Sequence, residues 1–217
     1  MALAFPLTLA ELFDGLAKVE TRFSLTDNVE NNETQGGEII TASYGPRLWT
    51  GSVTVRGNAY TTLDSLLSRV NLIRQAGASF FVGQSVRSGP LADPTGSILG
   101  AGTPTITAVN ANRRDVTLGG LPSGYVINRG DLLSFTYSSS PTRNALHQVV
   151  TGGTASGGGA VTVEVTPNVR EGFSAPFNIK LVNPQCKAVY MPGSFNDPPT
   201  SRAVQTTFSF SWRQTLR

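Results

Sequence analysis

Between Arg47 and Val82 the hydrophobic pattern changes period twice. Trp49, Gly51, Val53 and Val55 share one parity, with Thr50, Ser52 and Thr54 between them, which is the period of two of a half-buried strand. Leu63, Leu66, Leu67, Val70 and Ile73 then fall at steps of three and four and predict one amphipathic helix. Thr61, with Asp64 three residues on, is its expected N-terminal cap. Arg69 and Arg74 suit its negative end, and Gly77 supplies a left-handed stop. Phe80, Phe81 and Val82 resume extended chain.

The flanking sequence has fewer helical signals. Residues 7–18 predict a shorter helix with Thr8 as cap and Leu9, Leu12, Phe13 and Leu16 on one face. Val19 to Leu25 alternates as a strand. Asp27 to Gly37 (DNVENNETQGG) is polar and acidic and is expected as an exposed loop, followed by strand character in Glu38 to Tyr44. Residues 85–105 hold three Pro and four Gly and read as a connector. From Ile106 to Val182 come six short strand-like runs (TITAV, RDVTL, DLLSFTY, LHQVV, AVTVEV and FNIKL) with Gly-rich turns and no helix between them. That spacing predicts a small antiparallel barrel or sandwich inserted into the first domain. At the end of the chain Val204, Thr206, Phe208, Phe210 and Trp212 point one way and Gln205, Thr207, Ser209, Ser211 and Arg213 the other. A lone strand of this kind needs a sheet to join, and the helix-containing unit is its natural host. The expected fold is therefore mainly β: a split β-sandwich from 1–88 and 183–217, with one amphipathic helix and an inserted β-barrel-like module at 89–182.

Composition changes this picture little. Only 14% of the 217 residues are charged, a low fraction that suits a surface covered by other subunits. Seventeen basic against 14 acidic residues leave a net charge of +3 without any basic run, so no specific nucleic-acid binding is expected. The single cysteine, Cys186, excludes an internal disulfide. The N-terminal stretch lacks a basic leader and carries Glu11 and Asp14 among its apolar residues, so neither a signal peptide nor a membrane span is expected.

Candidate chemistry is sparse. The lone histidine, His147, lies in LHQVV on the parity of Val149 and reads as a surface or partly buried strand residue, with no GxSxG elbow in the chain. Cys186 has no partner for zinc. The run GGTASGGGA at 152–160 lacks the Gly-Lys-Ser/Thr of a phosphate loop and reads as a flexible hairpin loop. Trp49 and the aromatic terminal strand could form a sugar platform, but their parity is that of a core. No catalytic, cofactor or metal site is expected, and the chain is read as a non-enzyme.

Taken together, LWTGSVTVRG…TTLDSLLSRVNLIRQAGASFFVG, GLPSGYVINRGDLLSFTY…HQVV…GGGAVTVEVTPNVREGF and MPGSF…AVQTTFSFSWRQTL resemble the distal tail protein of long-tailed, siphovirus-type bacteriophages. The resemblance covers most of the chain after about Arg47 and is one of pattern. It implies a structural virion protein, assembled in the bacterial cytoplasm and located at the tail tip. There it would form a homo-oligomeric, hexameric ring that docks the tail tube protein on one face and hub, tip or fibre proteins on the other. Other tail components, namely a minor tail, tube or terminator protein, or a carbohydrate-binding β module at the tip, share many of these traits. A ring needs two different complementary patches per subunit. The acidic residues Glu30 and Glu33 are candidates for one, reaching Arg69, Arg74 or Arg213 of a neighbour.

Overall fold

The computed structural model describes residues 3–13, 19–57, 60–138, 140–172, 175–196 and 206–217, with the backbone alone at 57, 60–63, 66 and 206. In chain order the elements are α1 (Leu9–Phe13), β1 (Val19–Leu25), β2 (Val29–Glu33), β3 (Ile39–Ser43), β4 (Trp49–Gly57), α2 (Tyr60–Ile73) and β5 (Phe80–Gly83). There follow β6 (Thr105–Val109), β7 (Asp115–Gly119), β8 (Val126–Ile127), β9 (Leu132–Tyr137) and β10 (Arg143–Thr151). The last are β11 (Gly153–Thr154), β12 (Val161–Thr166), β13 (Phe177–Lys180), β14 (Gln185–Tyr190) and β15 (Thr206–Gln214). The chain is mainly β, in the sandwich class its alternation predicts, with two helices among the described residues.

A five-stranded antiparallel sheet runs in the order β1-β4-β15-β14-β5. The terminal strand does find a sheet: β15 lies between β4 and β14 and buries Phe208, Phe210 and Trp212. Val204, expected on the same face, lies outside the described residues. Gly51 has a packing reason. Phe23 on β1 and Trp212 on β15 are its direct neighbours on either side, and their rings meet edge to face 4.8 Å apart. A Cβ at Gly51 would lie 1.8 Å from the Arg22 carbonyl oxygen and 2.8 Å from the Trp212 ring. β14 is a strand that the sequence pattern did not announce. Its buried positions are the small Cys186 and Ala188, which give a weak apolar alternation. Burial pushes the Cys186 thiol up, so it stays a neutral core group.

The helices cover one face of this sheet. α1 opens with a reciprocal capping box: Glu11 N donates to Thr8 Oγ1 (3.2 Å), and Thr8 N donates to Glu11 Oε2 (2.8 Å). Its described part ends at Phe13, and Leu16 lies outside the described residues. α2 starts at Tyr60, so Thr61 is inside the helix and not its cap. Val70 and Ile73 are buried as the stripe requires, and Gly77 takes the left-handed conformation (φ 82°) beyond the last turn. The side chains of Leu63 and Leu66 lie outside the described part. Leu7, Leu12, Val70, Ile73 and the β15 aromatics form one core, to which the barrel contributes Leu132 and Leu146.

The six runs read from the sequence become six strands of a closed antiparallel barrel, ordered β10-β12-β7-β6-β13-β9. Ile106, Leu118, Leu133, Phe135, Val163 and Ile179 are among the side chains that fill it. The connector before it is held by two buried carboxylates. Asp131 accepts from Arg87 Nη1 (3.0 Å), Leu91 N (2.8 Å) and Asn128 N (2.7 Å), and Asp93 accepts from Ile98 N, Leu99 N and Tyr125 Oη. The Gly-rich run at 152–160 is the hairpin connection between the antiparallel strands β10 and β12, as the sequence predicts, and its backbone makes further contacts. β11 pairs with β8, Ala155 N donates to Tyr125 O, and a Cβ at Gly159 would lie 2.2 Å from Leu121 O, so glycine permits a close backbone crossing there.

Candidate assembly interface

The largest correction concerns residues 27–37. What reads as an acidic loop is the first strand and the turn of a β-hairpin, β2–β3, whose five pairs run from Val29↔Ser43 to Glu33↔Ile39. Thr34 and Gly37 make the turn that permits this. Gly37 N donates to Thr34 O, Glu38 N donates to Thr34 Oγ1, and Gly37 has φ 82°. Asn and Glu are poor strand formers, so β2 owes its conformation to the turn and to the better strand sequence IITAS opposite.

The stem of the hairpin is fastened to the ends of β1 and β4. Arg47 Nε donates to Thr26 O (3.0 Å), its Nη2 meets Asp27 Oδ1 (3.3 Å), and Thr26 N donates to Leu48 O. Beyond that point every residue of β2 and β3 is exposed. Five strand residues span ~17 Å, so the hairpin is an arm standing off the sheet. Ile39 and Ile40 are adjacent and therefore face opposite ways, yet they are 70% and 57% exposed, and Tyr44 at the stem is 72% exposed. The arm and its stem (27–44) hold four of the chain's 14 acidic residues and none of its 17 basic ones.

A second feature is a groove of about 410 Å³ between the turn that follows α2 (residues 73–79), β14 and the segment after β15. Arg74, Lys187 and Arg217 line it with Val189, Tyr190 and Pro192, and no acidic side chain does. Among the described residues none of the three cations has an ion-pair partner; Arg74 donates to Asn71 Oδ1 and lies over the Phe195 ring, 5.3 Å from its centroid. The arm leaves from the ends of β1 and β4, and the groove is lined by β14, two strands from β4, and by the segment after β15.

The residues named from sequence divide accordingly. Glu30 and Glu33 are exposed on the arm, and Arg74 lines the groove. Arg213 is exposed on β15 opposite Val189, beside the groove. Arg69 lines neither feature: its Nη1 donates to Leu12 O (3.4 Å), tying α2 to α1. Lys187 was missed because β14 was missed. Ile39 and Ile40 carried a legible signal, since two consecutive large apolar residues in one strand call for cover on both faces.

His147 differs from the surface or partly buried residue expected. It is 3% exposed in β10, stacked on Phe135 with ring centroids 5.3 Å apart, and its Nδ1 donates to Pro167 O over 2.7 Å. Burial is the main cause that pushes its pKa down to about 4, so the ring is neutral. Trp49 and Trp212 are buried, and Trp49 Nε1 donates to Leu146 O (2.7 Å), which joins sheet to barrel. They form core, not a sugar platform. Among the described residues no group of three His, Cys, Asp or Glu side chains could hold a metal, and no helix is long and apolar enough to cross a membrane. Comparison with known proteins finds no matching family model and no matching curated protein.

Proposed function

We propose that this chain is a structural subunit of the ring at the distal end of a long-tailed phage tail, joining the tail tube to the tip. The observation that carries the reading is the β2–β3 arm. An isolated two-stranded ladder is marginally stable in water, and this one exposes large apolar side chains on both faces and unpaired edges along its length. Such an element makes sense when another chain covers it. Arm and groove are two unlike patches of one subunit, the requirement for a head-to-tail ring. The mainly-β build and low charged fraction suit the same role, and the barrel supplies a separate surface for tip or fibre proteins.

The test is the mass and shape of the purified protein. Light scattering across a range of concentrations is expected to show a discrete oligomer, six copies by the tail-ring reading, and negative-stain images a ring with a central opening. The ring is also expected to bind the end of a tail tube assembled from the tube protein of the same phage. A monomer that stays monomeric at high concentration and ignores the tube end would overturn the reading.

A further inference from the structure

We propose that the groove bounded by residues 73–79, β14 and the segment after β15 is the seat of the β2–β3 arm of a second copy of this chain. The proposal rests on the ring reading and names the contact that would build it.

Charge selects the occupant. The arm and its stem are purely acidic in their charged residues, through Asp27, Glu30, Glu33 and Glu38, in a chain that is otherwise strongly basic. The groove presents Arg74, Lys187 and Arg217 without a carboxylate side chain among its lining residues. A like charge facing either element would be repelled, and each is the complement of the other. The apolar surfaces match in kind as well. Ile39, Ile40 and Tyr44 of the arm are largely exposed, and Val189, Tyr190 and Pro192 form the groove's apolar wall. Burying both together with paired charges avoids leaving either charge set uncompensated.

Exposure makes the contact intermolecular. Within one chain the arm does not fill the groove: every residue of β2 and β3 is exposed, and the groove is lined by residues 73–79, β14 and the segment after β15. In a ring, a subunit offers its arm to one neighbour and its groove to another. The contact is heterologous, and its repetition closes a ring or grows a filament.

The experiment is a charge swap read by light scattering and sedimentation. One variant reverses the arm (Glu30→Lys, Glu33→Lys, Glu38→Lys) and another reverses the groove (Arg74→Glu, Lys187→Glu, Arg217→Glu). Each alone is expected to weaken self-association at least tenfold, and raising the salt concentration to weaken the wild-type contact. Mixing the two reversed variants restores only an arm-to-groove contact between unlike chains, so the mixture is expected to form hetero-oligomers that neither forms alone. That rescue excludes misfolding as the cause of the single losses. As a second readout, Glu38→Cys and Arg74→Cys proteins are expected to cross-link to each other between chains under mild oxidation. Wild-type oligomers that are indifferent to the groove variant would overturn the seat and leave the ring reading standing. A wild-type protein monomeric under every condition would overturn both.

Discussion

Hairpins β2–β3 and β9–β10 share a backbone plan, with five and six consecutive antiparallel pairs, and differ in what their side chains meet. Leu132, Leu133, Phe135 and Tyr137 of β9 and Ala145, Leu146 and His147 of β10 are buried, with Leu132 and Leu146 reaching the sheet core and most of the rest the barrel. No residue of β2 or β3 is buried. Backbone pairing needs only a turn and a compatible partner, and both hairpins have these. Burial needs a second layer, and within one chain only β9–β10 has one. The arm is thus a ladder whose cover must come from outside the subunit, whereas β9–β10 already has cover on two sides.

The strongest way to disturb this contrast is to break the sheet from which the arm springs. Gly51→Val forces a side chain into the Arg22 carbonyl and the Trp212 ring. It is expected to cost ~4 kcal/mol or more in urea denaturation, or to prevent folding. A matched pair of truncations then compares the hairpins directly. Leu146→Ala, in a position 1% exposed at the junction of barrel and sheet, should cost about 3–4 kcal/mol. Ile40→Ala on the arm should change monomer stability by less than ~0.5 kcal/mol, because that side chain already faces water.

Acid sharpens the comparison further. The folded His147 imidazole sits at about 4 against an ordinary 6.5, because burial opposes its charged form. The neutral ring's stabilising effect is complete above pH 6.5 and is lost as the pH falls from 6.5 to about 4, below which both folded and unfolded states bind the proton. The loss should reach about 3 kcal/mol, measured as denaturation midpoints across that window, and His147→Gln should flatten it. The smallest effect on stability is expected from Ile39→Ser with Ile40→Ser: monomer unfolding changes by under ~0.5 kcal/mol, while self-association drops at least tenfold by light scattering. A large loss of monomer stability there would mean that the arm has cover within its own chain.

The sequence by itself determined most of the scaffold. Alternation placed β1, β4, β15 and the six barrel strands, because a residue that must face a core recurs every second position whatever that core is made of. The Val70 and Ile73 positions of the helix stripe were legible for the corresponding reason at a period of three to four. Only the tertiary structure decided that Glu30 and Glu33 stand on a ladder, that Cys186 and Ala188 belong to a strand, that His147 is enclosed by Phe135 and Pro167, and that Lys187 joins Arg74 and Arg217 in one groove. Each of these depends on which distant segments come to lie against each other. β2 is extended because β3 opposes it, β14 is a strand because β5 and β15 flank it, and the groove exists because the end of α2 and the end of the chain meet over the same strand. Periodicity records that a side chain needs a partner, and long-range packing supplies the partner's identity.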